Sequence, residues 1–144
     1  MTKTYTIGQV AKNLGIPSST LRYYDKLNLF PKLQKSGSGI RYFTSEDVDT
    51  IRVIECLKKA NLSIKEIQYF TKFVAEGDAS IPQRRQLFYK VRQNFIEELH
   101  QMQQTLDVLD FKCRYYDQAI EDGTEKHVQK SMPLSEVLPE SSIK

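Results

Sequence analysis

Ile7-Gly8-Gln9-Val10-Ala11-Lys12-Asn13-Leu14-Gly15-Ile16-Pro17-Ser18-Ser19-Thr20-Leu21-Arg22-Tyr23-Tyr24 is the stretch on which the fold turns. Ile7, Val10, Ala11 and Leu14 recur at the spacing of one helical face. Gly15 suits the left-handed residue that ends a helix, and Pro17 stops the first helix from simply continuing. A second helix then starts at Ser18. Two short helices joined by so tight a turn must cross steeply and pack, which is a helix-turn-helix.

Working outward, helix starts are marked by hydroxyl residues that have Gln, Asp or Glu three positions on, the pattern of a capping box. Thr6 with Gln9 opens the first helix, Thr44 with Asp47 opens a third and Ser63 with Glu66 a fourth. The Asp variant is the weaker, because its side chain is shorter. After Leu29-Phe30-Pro31 the helical pattern stops. Lys35-Ser36-Gly37-Ser38-Gly39-Ile40-Arg41-Tyr42-Phe43 reads as a turn feeding a short strand, with Lys32-Leu33 as its expected partner, so a hairpin or wing follows the motif. Two helices follow over 45–60 and 63–75, until Gly77-Asp78 breaks the second.

After Pro82, as far as Glu121, there is neither Gly nor Pro. Phe95, Leu99, Met102, Leu106, Leu109, Cys113, Tyr116 and Ile120 alternate at spacings of four and three, an a/d seam. Forty residues at about 1.5 Å each make a rod of roughly 60 Å, longer than the small domain before it is wide. A second copy of the chain is therefore the expected partner, giving a twofold homodimer. The expected architecture is mainly α: a winged helix-turn-helix DNA-binding domain over 1–76, a dimerisation helix over 80–121 forming an antiparallel coiled coil between subunits, and a flexible tail over 122–144.

The formal charge of the 144 residues is only +3, but it is unevenly spread. Residues 1–45 hold seven Lys and Arg against one acid, Asp25, whereas 76–144 hold nine basic against twelve acidic side chains. The first end attracts polyanions. No apolar run approaches the roughly 20 residues of a membrane span, and the start lacks the apolar core of a signal peptide, so the expectation is cytoplasmic. Two cysteines, Cys56 and Cys113, are too few for a disulfide scaffold and are expected as thiols.

In a helix-turn-helix the start of the second helix enters the major groove of double-stranded DNA, which nominates Ser18, Ser19, Thr20, Arg22, Tyr23 and Tyr24. Leu21 turns back to the core. Arg22 either takes guanine edges bidentately or holds a phosphate. At least one of Tyr23 and Tyr24 is expected on DNA, while the other can pack beneath the helix. In the wing, Lys35, Arg41 and Tyr42 are expected at phosphates. Ser63 reads equally as a helix cap and, with Lys65 beside it, as part of an anion site at a helix N-terminus.

Tyr5-Thr-Ile-Gly-Gln-Val-Ala-Lys, Thr20-Leu-Arg-Tyr-Tyr-Asp-Lys-Leu-Asn-Leu and Gly39-Ile-Arg-Tyr-Phe-Thr with Asp47-Val resemble the signature of the MerR family of transcription regulators. The resemblance covers about the first 76 residues, and the long helix by architecture. It implies a dimer on a pseudo-palindrome within a promoter whose spacer is too long for RNA polymerase, with transcription controlled by bending and untwisting the DNA. Metal-sensing relatives carry a cysteine-bearing loop after the dimer helix, whereas this chain has only His127 there. With Cys56, Cys113, His100 and His127 far apart, no metal site and no cofactor are expected. Drug-binding relatives carry a large ligand domain, for which the tail leaves no room.

Cys56 has Arg52 at i−4 and Lys59 at i+3, and nearby cations favour a thiolate. It also falls in a small apolar stripe with Val53 and Ala60, where a cysteine is simply a packing residue. Ile54-Glu-Cys-Leu-Lys-Lys-Ala-Asn-Leu-Ser-Ile with Phe73-Val-Ala-Glu-Gly-Asp is similar to the thiol- and aldehyde-responsive branch of the family. That resemblance implies Cys56 as the sensor of an aldehyde, another electrophile or oxidative stress. The competing reading is a DNA-binding regulator or architectural adaptor without a thiol effector. No nucleophile–base pair, phosphate loop or ligand cluster supports an enzyme.

Overall fold

A computed structural model of the chain describes residues 3–138. They fall into two compact units, Met1–Arg92 and Gln93–Lys144, with the longest helix passing through the boundary.

The first unit begins with a two-residue strand, β1 (Thr4–Tyr5), followed by α1 (Ile7–Leu14) and α2 (Ser18–Lys26). The start of α1 is a complete capping box: the Thr6 hydroxyl accepts from the Gln9 amide at 3.2 Å, and the Gln9 side chain accepts from the Thr6 amide at 2.9 Å. Gly15 ends α1 with φ of 67° in the left-handed region, as the sequence predicts. Ile16, half-buried, packs against the same core as both helices and closes the turn.

The wing comprises β2 (Gln34–Lys35) and β3 (Arg41–Thr44), antiparallel, with Gln34 opposite Tyr42 and Lys35 opposite Arg41. The partner of the glycine-bearing strand is thus Gln34–Lys35 rather than Lys32-Leu33. Leu33 donates its amide to the Phe30 carbonyl at 3.0 Å, closing a turn before the strand can begin. A feature that sequence patterning does not show is that β1 adds to the other edge of β3, so the sheet order is β1-β3-β2.

The next helices are α3 (Ser45–Lys59) and α4 (Ile64–Glu76), within a residue of their expected bounds. The Thr44–Asp47 box forms both of its bonds, at 3.1 and 2.9 Å, despite the shorter acid. Val10, Leu21, Tyr24, Leu29, Phe30, Phe43, Ile51, Ile54, Leu57, Ile67 and Phe70 make one buried core from the four helices, β3 and the segment after α2, joined by Leu87 and Val91.

The long helix α5 (Ile81–Asp122) forms as a single 42-residue element. In the second unit it is followed by α6 (Lys126–Ser131), which corrects the expectation of a loose tail over 122–144. Val128 of α6 is fully buried against Phe111, Tyr115 and Ala119 of α5, with Met132 and Val137 packed around them. Six residues are too few for a helical period to register, and burial of one valine on an i, i+4, i+8 stripe holds the element in place. Residues 139–144, the remainder of that expected tail, lie outside the described residues.

Candidate nucleic-acid interface

The chemistry of α2 divides along its two sides. Leu21 and Tyr24 are buried, at 0% and 1% exposure, while Ser19, Arg22 and Tyr23 face solvent and Ser18 and Thr20 are half-buried. Ser18, Ser19, Thr20, Arg22 and Tyr23 therefore share the start of one helix, as the motif requires. Tyr23 is 52% exposed.

Tyr24 is a correction to the expected contact set. Its ring lies in the core, edge-on to Phe30 at 6.4 Å, and its hydroxyl is already engaged. It donates to Glu55 Oε1 at 2.5 Å and accepts from Lys58 Nζ at 2.6 Å, both on α3. Burial and the Glu55 carboxylate both push the phenol's pKa upward, so it stays protonated. This residue ties the recognition helix to α3 and has no face left for DNA.

The wing turn closes through Ser36, whose amide donates to the Ile40 carbonyl at 2.8 Å while its hydroxyl accepts from the Ile40 amide at 3.0 Å. Gly39, at φ of 87°, supplies the left-handed residue that so short a turn needs. Lys35 and Arg41 then stand side by side on paired strands. Both also reach Asp25 on α2: Arg41 Nε lies 2.7 Å and Lys35 Nζ 2.9 Å from Asp25 Oδ2. Burial works to raise the Asp25 pKa, but the two cations outweigh it and hold the carboxyl below its ordinary value. Sequence reasoning missed this clamp, though one signal was available: Asp25 is the single acid among the first 45 residues. Tyr42, next along β3, is half-buried.

Ser63 is a working cap. Its hydroxyl accepts from the Glu66 amide at 3.2 Å and its amide donates to Glu66 Oε1 at 3.1 Å. These bonds hold the Glu66 carboxyl below its ordinary pKa. Lys65 is exposed beside the cap.

The buried residues of α3 are Ile51, Ile54 and Leu57, so Cys56 lies off the core-facing side and its thiol is exposed. The stripe with Val53 and Ala60 does not bury it within this chain. Residues 55 and 58, on either side of it in sequence, are the two that hold Tyr24. Among the described residues no group of three or more His, Cys, Asp or Glu side chains could hold a metal, and no helix is long and apolar enough to cross a membrane.

On α5 all eight seam residues, Phe95, Leu99, Met102, Leu106, Leu109, Cys113, Tyr116 and Ile120, are exposed, Ile120 to 80%. At about 100° per residue, Phe111 and Tyr115 fall on the far side of the helix from Leu109, Cys113, Tyr116 and Ile120. The contact with α6 thus uses the side of α5 turned away from the seam and leaves the seam open.

Known proteins share this arrangement. Residues 5–72 match the family model described as MerR HTH family regulatory protein. An HTH-type transcriptional regulator of Haemophilus influenzae, itself uncharacterized, is 34% identical over 125 residues, covering 87% of this chain and 93% of the relative. The regulator AdhR of Bacillus subtilis is 38% identical over 91 residues, 63% of this chain and 65% of its own length. Among solved structures, HiNmlR, described as a MerR family regulator lacking the sensor domain and bound to promoter DNA, superimposes with a TM-score of 0.75 at 33% identity. That match covers 88% of this chain and 100% of HiNmlR. These relatives are regulators rather than enzymes, and with the motif, the wing and the long helix in place the chain belongs to the MerR family of DNA-binding transcription regulators.

Proposed function

We propose that the chain works as a homodimer joined along the α5 seam, binds double-stranded promoter DNA, and distorts it to set the access of RNA polymerase. The observation that carries this reading is the seam itself: eight apolar or weakly polar side chains exposed at a/d spacing, on a helix whose other side α6 covers only at Phe111, Tyr115 and Ala119. Each subunit would place Ser18, Ser19, Thr20, Arg22 and Tyr23 in the major groove. Lys35, Arg41 and Tyr42 of the wing, with Ser63 and Lys65 at the start of α4, would lie at the phosphates. Two modules at a fixed separation can impose a bend that costs about 1–6 kcal/mol of DNA deformation. Gel-shift titrations against a pseudo-palindromic promoter test it directly. The expected result is one dimer per site with affinity falling steeply as salt rises; salt-independent binding, or one subunit per site, rejects the reading.

The trigger in this reading is Cys56. HiNmlR is described as lacking a sensor domain, so a signal read within the DNA-binding half suits this architecture. The exposed thiol favours it, as does its place on α3 between the residues that hold Tyr24 of the recognition helix. Addition of the Cys56 thiol to an aldehyde forms a C–S bond as the C=O π bond breaks, and the thiol's proton passes to the former carbonyl oxygen to give a hemithioacetal. Replacing Cys56 by Ser is expected to abolish the transcriptional response to aldehyde while leaving DNA affinity within about twofold, since a surface substitution of this kind costs under about 0.5 kcal/mol. An undiminished response in the C56S protein rejects Cys56 as the sensor, whereas a wild-type protein whose promoter occupancy and output are indifferent to aldehydes and oxidants is better described as an effector-free regulator or adaptor.

A further inference from the structure

One acid stands in the middle of the basic half of this molecule, and it is not at the margin. Asp25 lies on the recognition helix with its side chain only 9% exposed, and one of its oxygens receives both Arg41 and Lys35 of the wing. Charge alone makes this an odd choice, because a carboxylate near DNA repels phosphate and cancels part of the attraction that the two cations supply.

The wing offers a reason. β2 is two residues long and β3 four, and a hairpin of that size has little stability of its own in water. β3 is anchored at its far end by Phe43 in the core and by pairing with β1. β2 and the turn at 36–40 hang from the near end, where Lys35 and Arg41 pair. Asp25 grips the hairpin at that point. Arg41 meets it through Nε, one of the five N–H donors of the guanidinium.

We infer that Asp25 is a positioning residue for DNA binding: it fixes the wing to the recognition helix and aims the Arg41 and Lys35 cations, so that removing its negative charge weakens binding. The inference rests on the DNA-contact roles proposed above for Lys35 and Arg41. It has a sign opposite to that of simple electrostatics, in which loss of an acid strengthens the grip on a polyanion.

The test uses the full chain and a duplex selected by the wild-type protein from a random-sequence pool. Failure of the wild type to select any duplex overturns the DNA reading, and this inference with it. Given a selected duplex, D25N is expected to bind at least tenfold more weakly than wild type at about 0.1 M salt. The plot of log Kd against log salt should flatten by about 1 for each phosphate that the wing no longer neutralises. D25E, which keeps the charge, is expected to restore most of the affinity. In a double-mutant cycle with R41Q, D25N should cost little once Arg41 is gone. D25N binding as tightly as wild type or tighter, D25E no better than D25N, or additive losses with R41Q would each overturn the positioning role while leaving DNA binding intact. Should D25N fail to fold, the cycle is run with D25S and R41Q, where coupled losses support the role and additive losses overturn it.

Discussion

Two adjacent residues of one helix, Tyr23 and Tyr24, carry the same side chain and have opposite fates. The Tyr24 hydroxyl has two charged partners on α3, so Tyr24→Phe is expected to destabilise the fold by about 1.5–3 kcal/mol in denaturant titrations, the scale of a hydrogen bond to charged groups. The same change at the exposed Tyr23 should alter stability by less than about 0.5 kcal/mol. Asp25 gives the residue scale a pH dependence. Its native pKa is depressed, so the stability it adds is fully present above the unfolded-state value. That stability falls as the pH drops through the ordinary 3.8 and is gone below the depressed native value. In urea titrations at decreasing pH, the stability gap between wild type and D25N should therefore close in that acidic window, and a gap unchanged down to about pH 2.5 would contradict the assignment.

Whole elements depend on their ends and their single anchoring contacts. Ser63→Ala removes the hydroxyl that satisfies the Glu66 amide and is expected to cost about 1 kcal/mol, measurable as a lower thermal midpoint. Gly15→Ala places a Cβ at φ of 67°, where the surrounding space is open but the backbone conformation is not favoured. A loss of about 1 kcal/mol is expected from backbone strain alone. The motif's turn was legible in the sequence because Gly15 and Pro17 act locally. β1 was not, because two residues carry no period and the strand exists only where β3 offers it an edge. α6 was hidden for a related reason: its stability comes from Val128 reaching Phe111, Tyr115 and Ala119 across the chain. Val128→Asp should release α6, lowering helical content by a few residues while leaving the first unit's unfolding transition unchanged.

At the scale of the whole molecule the seam is the consequential feature. A single chain leaves Leu106 and Leu109 exposed, so charging them costs the fold of one subunit little. The double change Leu106→Glu and Leu109→Glu is expected to yield monomers in sedimentation equilibrium, with a melting transition for the 1–92 unit close to wild type. Binding to a palindromic site should weaken by a hundredfold or more, because two half-site contacts no longer act as one event. A dimer that survives the double change would place the subunit interface elsewhere.

By itself the sequence determined the helix-turn-helix, the wing, the caps of three helices and the long apolar seam. Each of these is written in short-range chemistry: a cap spans three residues, a turn four, and a heptad repeats itself until it cannot be missed. It also placed the cysteine off any scaffold and the positive charge at one end. Only the tertiary structure decided which tyrosine faces outward, that Asp25 holds the wing, that β1 completes a sheet and that α6 covers the other side of α5. Those outcomes depend on residues 16 to 31 positions apart meeting in space: Tyr24 on Glu55, Asp25 on Arg41, Val128 on Phe111. No local pattern encodes such meetings, because burial and charge pairing are settled by the packing of elements after each has formed.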